Sequence, residues 1–200
     1  MSDLIKDDNF LTPGNMIKLY SMGAFPMAES RDTPEVNWYL PKIRAIIPLN
    51  AFNIPRSLKK EMQGRNFEVR VNENFDRVIN SCAARFETWI NRKLIKAYRN
   101  LYNLGYLHTL EVFENDELLG GLYGIVIGGA FMGESMFTVK SQGSKIALVE
   151  LVKRLNDRGF VILDVQLMNP HLKMFGAVEI DEESYKKLLR EALLTNASFL

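Results

Sequence analysis

The stretch His108–Val139, HTLEVFENDELLGGLYGIVIGGAFMGESMFTV, decides the reading of the fold. Its apolar residues recur with a period near two, the mark of half-buried strands. Asn115-Asp116 and Gly128-Gly129 supply turns and split it into His108–Phe113, Leu118–Ile127 and Ala130–Val139. Consecutive strands joined by short turns predict an antiparallel meander. Downstream the period lengthens. Ile146, Val149, Val152 and Leu155 recur every three residues, which predicts a helix capped by Ser144, running to Arg158 and stopped at Gly159. Phe160–Gln166 reads as a further buried strand. His171–Phe175 reads as a short helix after Asn169-Pro170, and Glu183–Leu194 as a closing helix. The fold class is α+β with a mainly antiparallel sheet.

Upstream, Phe52–Gln63 resembles a helix entered at Pro55-Arg56-Ser57 and ended by Gly64. Phe67–Asn72 alternates like a strand. Asn74–Arg85 places Phe75, Val78, Ile79 and Cys82 at helical spacing, so Cys82 reads as a small apolar core residue. Residues 92–104 carry the stripe Leu94, Ile95, Tyr98, Leu101 and Tyr102, with Gly105 as the stop. Residues 1–50 are broken by prolines and glycines and hold one short helical stretch, Gly14–Met22. This division predicts a small irregular N-terminal domain over 1–50 and a main domain over 51–200.

Two hundred residues, 47% of them apolar, suffice for one real core. No apolar run reaches the roughly 18 residues of a membrane helix. The polar, acidic Met1–Phe10 does not read as a signal peptide, so a cytoplasmic protein with no membrane partner is expected. One cysteine excludes an internal disulfide and a cysteine zinc cage, and two histidines leave little for any metal site. The net charge is +1, which by itself argues against nucleic acid. Yet residues 42–99 carry 13 Lys/Arg against 5 Asp/Glu, and the other 142 residues are net acidic. One basic face could hold a polyanion.

Three places carry chemistry. Glu134, amid apolar residues, should share a strand face with Met136; it is either a structural ion-pair partner or a carboxylate at a pocket rim awaiting a cation. Asp164 and Gln166, two apart at a strand's C-terminal end, should share a face. Asp164 could orient the Gln166 amide, accept from a substrate amine, or simply fix a loop; Gln166 is no strong base. Gln142-Gly143-Ser144-Lys145 opens a helix, where N–H groups attract phosphate. Trp89 is core packing or a stacking platform.

In order along residues 20–177 stand Tyr20-Ser-Met-Gly-Ala-Phe-Pro26, Trp38-Tyr-Leu-Pro41 with Arg44, Thr88-Trp89-Ile90, Leu104-Gly105 and His108-Thr-Leu-Glu111. Gly120-Gly-Leu-Tyr-Gly124, Gly133-Glu-Ser-Met-Phe137, Ser144-Lys145 with Ala147-Leu148, Asp164-Val-Gln166, His171-Leu172 and Gly176-Ala177 follow. In this ordered set the chain resembles the leucyl/phenylalanyl-tRNA–protein transferases.

The resemblance implies a C-terminal domain folded like the GNAT acetyltransferases. It implies transfer of Leu, Phe or, less well, Met from aminoacyl-tRNA to a protein whose N-terminal residue is Arg or Lys, marking it for N-end-rule degradation. No cofactor, metal or DNA is implied. Asp164 and Gln166 match the family's catalytic pair, with Asp polarising Gln. Glu134 would meet the acceptor cation; Trp89, Leu122, Phe131 and Met136 would line the donor's aminoacyl pocket; Ser144 and Lys145 would meet the tRNA end. The chain departs from the family at Val165, usually Cys, and at Asp181-Glu182-Glu183, where an Arg is usual. An acetyl-CoA enzyme would need a phosphate loop that Val139–Ala147 lacks.

Overall fold

The computed structural model describes residues 8–200, so the expectation placed on Met1–Phe10 lies largely outside the described residues. After a 3-10 turn at Asp8–Leu11 come α1 (Pro13–Ser21), β1 (Phe25–Met27), β2 (Asn37–Tyr39) and β3 (Ile43–Ile47). Then follow a 3-10 turn at Leu49–Ala51, α2 (Arg56–Met62), β4 (Glu68–Val71), α3 (Phe75–Ala83) and α4 (Arg92–Asn103). The meander is β5 (Leu107–Glu114), β6 (Glu117–Ile127) and β7 (Ala130–Thr138). The chain closes with α5 (Gly143–Asp157), β8 (Ile162–Gln166), α6 (Pro170–Lys173), β9 (Val178–Asp181) and α7 (Glu182–Leu194).

Seven strands form one sheet in the order β4-β5-β6-β7-β8-β3-β9, while β1 and β2 pair separately. Every pairing is antiparallel except β7 with β8. Alternation along the strands feeds two cores. One holds residues of α1, α3, α4 and α7; the other holds α5 with Leu58 of α2 and Phe175. The expected α+β class and antiparallel meander are therefore present. No helix among the described residues is long and apolar enough to cross a membrane.

Two local expectations are corrected. Residues 8–50 hold more regular structure than the punctuation of 1–50 suggested, and β3 sits inside the large sheet between β8 and β9. Ser144 does not cap α5. The cap is Gln142, at φ 65°, with no side-chain cap bond. Thr138 caps from the neighbouring strand instead, its Oγ1 accepting from the Ser144 N–H at 3.1 Å. The helix start is pressed onto β6: a Cβ on Gly143 would lie 1.9 Å from the Leu119 oxygen, and one on Gly120 would lie 2.7 Å from the Gly143 carbonyl carbon. Only glycines permit this approach.

Candidate active site

Two strands part to open a cleft. β7 and β8 pair through Ala130–Ile162, Phe131–Leu163 and Met132–Asp164, and there the pairing stops. Both strands continue, β7 to Thr138 and β8 to Gln166. A cleft of about 900 Å³ lies beside the parting, bordered by Gly133, Glu134, Val165 and Gln166. Each strand carries a bulge at that point. Tyr123 pairs with Ser135 and Gly124 with Gly133, so Glu134 is the extra residue of β7. Ala45 pairs with Gln166 and Ile46 with Asp164, so Val165 is the extra residue of β8. Bulges re-aim side chains and recur beside active sites.

The β7 bulge overturns strict alternation. Glu134 turns towards Tyr20 and Tyr98, members of the core that holds Met132 and Phe137, whereas Met136 packs on the opposite core. Tyr20 donates to Oε1 at 2.8 Å and Tyr98 to Oε2 at 2.7 Å. Burial pushes the Glu134 carboxyl up to about 7; the tyrosine hydroxyls and Arg44 pull it down, and the nearby Asp164 charge adds to the rise. Burial, reinforced by Glu134, holds both hydroxyls well above the ordinary tyrosine range, so they stay protonated donors. No cation among the described residues forms an ion pair with Glu134. The ion-pair reading of this residue therefore fails.

Asp164 is fully buried. Arg44 grips it with Nε on Oδ1 at 2.8 Å and Nη2 on Oδ2 at 2.7 Å. Tyr185 of α7 donates to Oδ2 at 2.7 Å, and the Gln166 main-chain N–H donates to Oδ1 at 3.0 Å. Arg44 also donates to the Gly23 oxygen at 2.8 Å and lies over the rings of Phe25 and Tyr185. Such bidentate pairs are strong and directional. This clamp holds Gln166 at φ 58°, a left-handed conformation that side chains other than glycine avoid. The expected shared face is not present: Gln166 lines the cleft and Asp164 does not. Asp164 reaches Gln166 through the main chain, and the Gln166 Nε2 is buried without a partner among the described residues.

The remaining expected residues fall at three places. Leu122, Phe131 and Met136 line the cleft, with Leu148, Leu151 and Leu163 completing an apolar stretch. Trp89 lines both this cleft and a second cavity of about 150 Å³, whose walls include Phe25, Met27 and Leu167. The two cavities share Trp89, Glu134, Val165 and Gln166. Ser144 lines the large cleft, hydrogen-bonded to Thr138, which also lines it; Lys145 is not among the lining residues. Cys82 is buried, its thiol pushed up to about 12 by desolvation, as a core residue should be.

Tyr20, Tyr98, Arg44 and Tyr185 complete the geometry, and none was singled out as a site residue from the sequence. Tyr20 and Arg44 stand in the quoted motifs, which was the available signal. Tyr98 reads as one member of an apolar stripe. Nothing local marks Tyr185.

The profile of the leucyl/phenylalanyl-tRNA protein transferase family matches residues 46–190, and that of its N-terminal domain matches residues 10–42. A leucyl/phenylalanyl-tRNA–protein transferase of Cereibacter sphaeroides strain KD131 is 47% identical over 189 residues, covering 94% of this chain and 88% of its own. That of strain ATCC 17023 is 46% identical over the same length. Among solved structures, L-PGS from Bacillus licheniformis overlays 80% of this chain and 52% of its own, with TM-score 0.43 and 12% identity.

Proposed function

The chain belongs to the leucyl/phenylalanyl-tRNA–protein transferase family, and from that premise we propose how its cleft performs the transfer. The enzyme moves Leu or Phe from aminoacyl-tRNA to the N-terminus of a protein. One C–N bond forms at the ester carbonyl, the bond to the ribose oxygen breaks, and one amine proton is lost. The ester is already activated, so no covalent enzyme intermediate is needed. An α-amine with pKa about 8 is roughly a tenth neutral at pH 7. Bringing the two reactants together supplies most of what remains.

The observation that carries the reading is Glu134, a carboxylate with no paired cation among the described residues, held by two tyrosines where the two cavities meet. The apolar cleft takes the Leu, Phe or Met side chain against Leu122, Phe131 and Met136, with Trp89 at its edge. The smaller cavity takes the acceptor's first side chain, and Glu134 selects Arg or Lys there. Gln166 accepts from the attacking amine and orients it. Asp164 acts by fixing the Gln166 main chain rather than by taking a proton, since four donors already meet its two oxygens. The departing ribose oxygen receives the proton. Ser144 and Lys145, at the start of α5, meet the tRNA end. The modified protein is then marked for degradation in the cytoplasm. Division into a small N-terminal unit and a GNAT-like catalytic unit belongs to the same reading.

The test is incubation of purified protein with Phe-tRNA, Leu-tRNA or Met-tRNA and a peptide starting with Arg, Lys or Ala. Transfer is expected to the Arg and Lys peptides and not to an Ala-starting one. Absence of transfer from all three donors would overturn the reading.

A further inference from the structure

Phe199 lies beyond the last helix and is 2% exposed. Its ring centroid is 5.2 Å from that of Phe131, 5.0 Å from His108 and 6.2 Å from Phe160. Arg154 covers its face at 5.1 Å and donates from Nε to the Phe199 oxygen at 2.7 Å. Arg158 donates to the Leu200 oxygen. Two arginines at the end of α5 thus hold the main chain of residues 199 and 200, with Phe199 buried and Leu200 exposed. Phe131, in turn, lines the cleft. Its ring lies against Gly124, where an added Cβ would come within 2.4 Å of Cε1. Phe199 stands against the buried Phe131 ring and is not itself among the residues lining the cleft.

We propose that Phe199 is a positioning residue for donor selection: by backing Phe131 it sets the depth of the aminoacyl subsite. This rests on the reading that the apolar cleft takes the donor side chain. Close-packed interiors transmit such support, and a void behind a wall lets the wall recede. Leu and Phe differ by a few carbons, a difference that apolar pockets discriminate only modestly. A small recession of Phe131 therefore shifts the balance towards the larger donor.

The experiment measures kcat/KM for Phe-tRNA and Leu-tRNA with one Arg-starting peptide, for wild type, Phe199→Leu, Phe199→Ala and Phe131→Leu. Phe199→Ala is expected to raise the Phe-to-Leu ratio about threefold to tenfold, Phe199→Leu by less, with the acceptor KM unchanged. Where the alanine variant does not fold, Phe199→Leu decides. Equal loss for both donors, at a constant ratio, overturns the proposal. If Phe131→Leu shifts the ratio and the Phe199 variants do not, only this inference falls. If Phe131→Leu also leaves the ratio unchanged, the donor reading of the cleft falls with it.

Discussion

At the scale of single residues, a carboxyl that titrates near neutrality makes two pH predictions. Glu134 is raised from 4.5 to about 7, chiefly by burial. An acid whose folded-state value exceeds its unfolded one stabilises the fold below the unfolded value and loses that contribution as pH rises through the folded one. The Tm of the free protein is thus expected to fall between about pH 4.5 and 7, and Glu134→Gln to flatten that slope; parallel profiles would refute the assignment. Binding of a cationic acceptor runs the opposite way, because it needs the ionised form. The acceptor KM of wild type should drop as pH rises through about 7, and that of Glu134→Gln should stay high with donor binding little changed. The clamp gives a graded series. Asp164→Asn strips the Arg44 guanidinium of its counter-charge, a loss of about 3–5 kcal/mol for a buried pair. Tyr185→Phe removes one hydrogen bond to a charged group, about 1.5–3 kcal/mol. Urea unfolding checks the order, and transfer should fall in the same order. Among these groups, Asp164, Gln166 and Glu134 were legible because ionisable or amide residues interrupt apolar strands. Their partnerships were not: Tyr20 and Arg44 stand in the quoted motifs, but they and Tyr185 reach the site from remote segments, and local pattern carries no record of distant contacts.

At the scale of elements, the docking of α5 is the point most open to test. Its first turn leans on β6 through Gly120 and Gly143, and Thr138 of β7 satisfies the Ser144 N–H. Gly143→Ala drives a methyl into the Leu119 oxygen and is expected to cost about 1–3 kcal/mol, as overpacking does. It should also raise the donor KM, since Ser144 lines the cleft. Thr138→Val removes the borrowed cap and should cost about 1 kcal/mol by thermal melting. Strong 3.6 and 2 periods made β5, β6, β7 and the major helices readable. β3 and β9 were not. The run Ile43-Arg-Ala-Ile-Ile47 hides its strand behind a buried arginine, and Val178-Glu-Ile-Asp181 is a four-residue edge with little burial to impose alternation. The two bulges also escaped, because each adds one residue that only the partner strand reveals.

At the scale of the molecule, a net charge of +1 conceals a division of labour. Of the basic residues in 42–99, Arg44, Arg65, Arg70 and Arg99 are engaged by carboxylates. Lys59, Lys60, Arg92 and Lys96 form no ion pair with another described residue and remain available to phosphates. Transfer efficiency should fall with salt, log kcat/KM being linear in log salt concentration. Arg92→Ala or Lys59→Ala should flatten that slope by about 1 if the residue meets a phosphate, while Arg70→Ala should leave it unchanged. The sheet order sets a further condition. Arg44 and Asp164 are 120 residues apart in sequence, and β3 enters the sheet between two strands synthesised long after it. Closing so long a loop is slow relative to local helix formation. During synthesis the early segment leaves the ribosome without its partners, its arginine solvated and its strand unpaired. Because Asp164, Gln166 and Tyr185 all follow residue 160 in sequence, the clamp around β3 can close only after β8, β9 and α7 have been made.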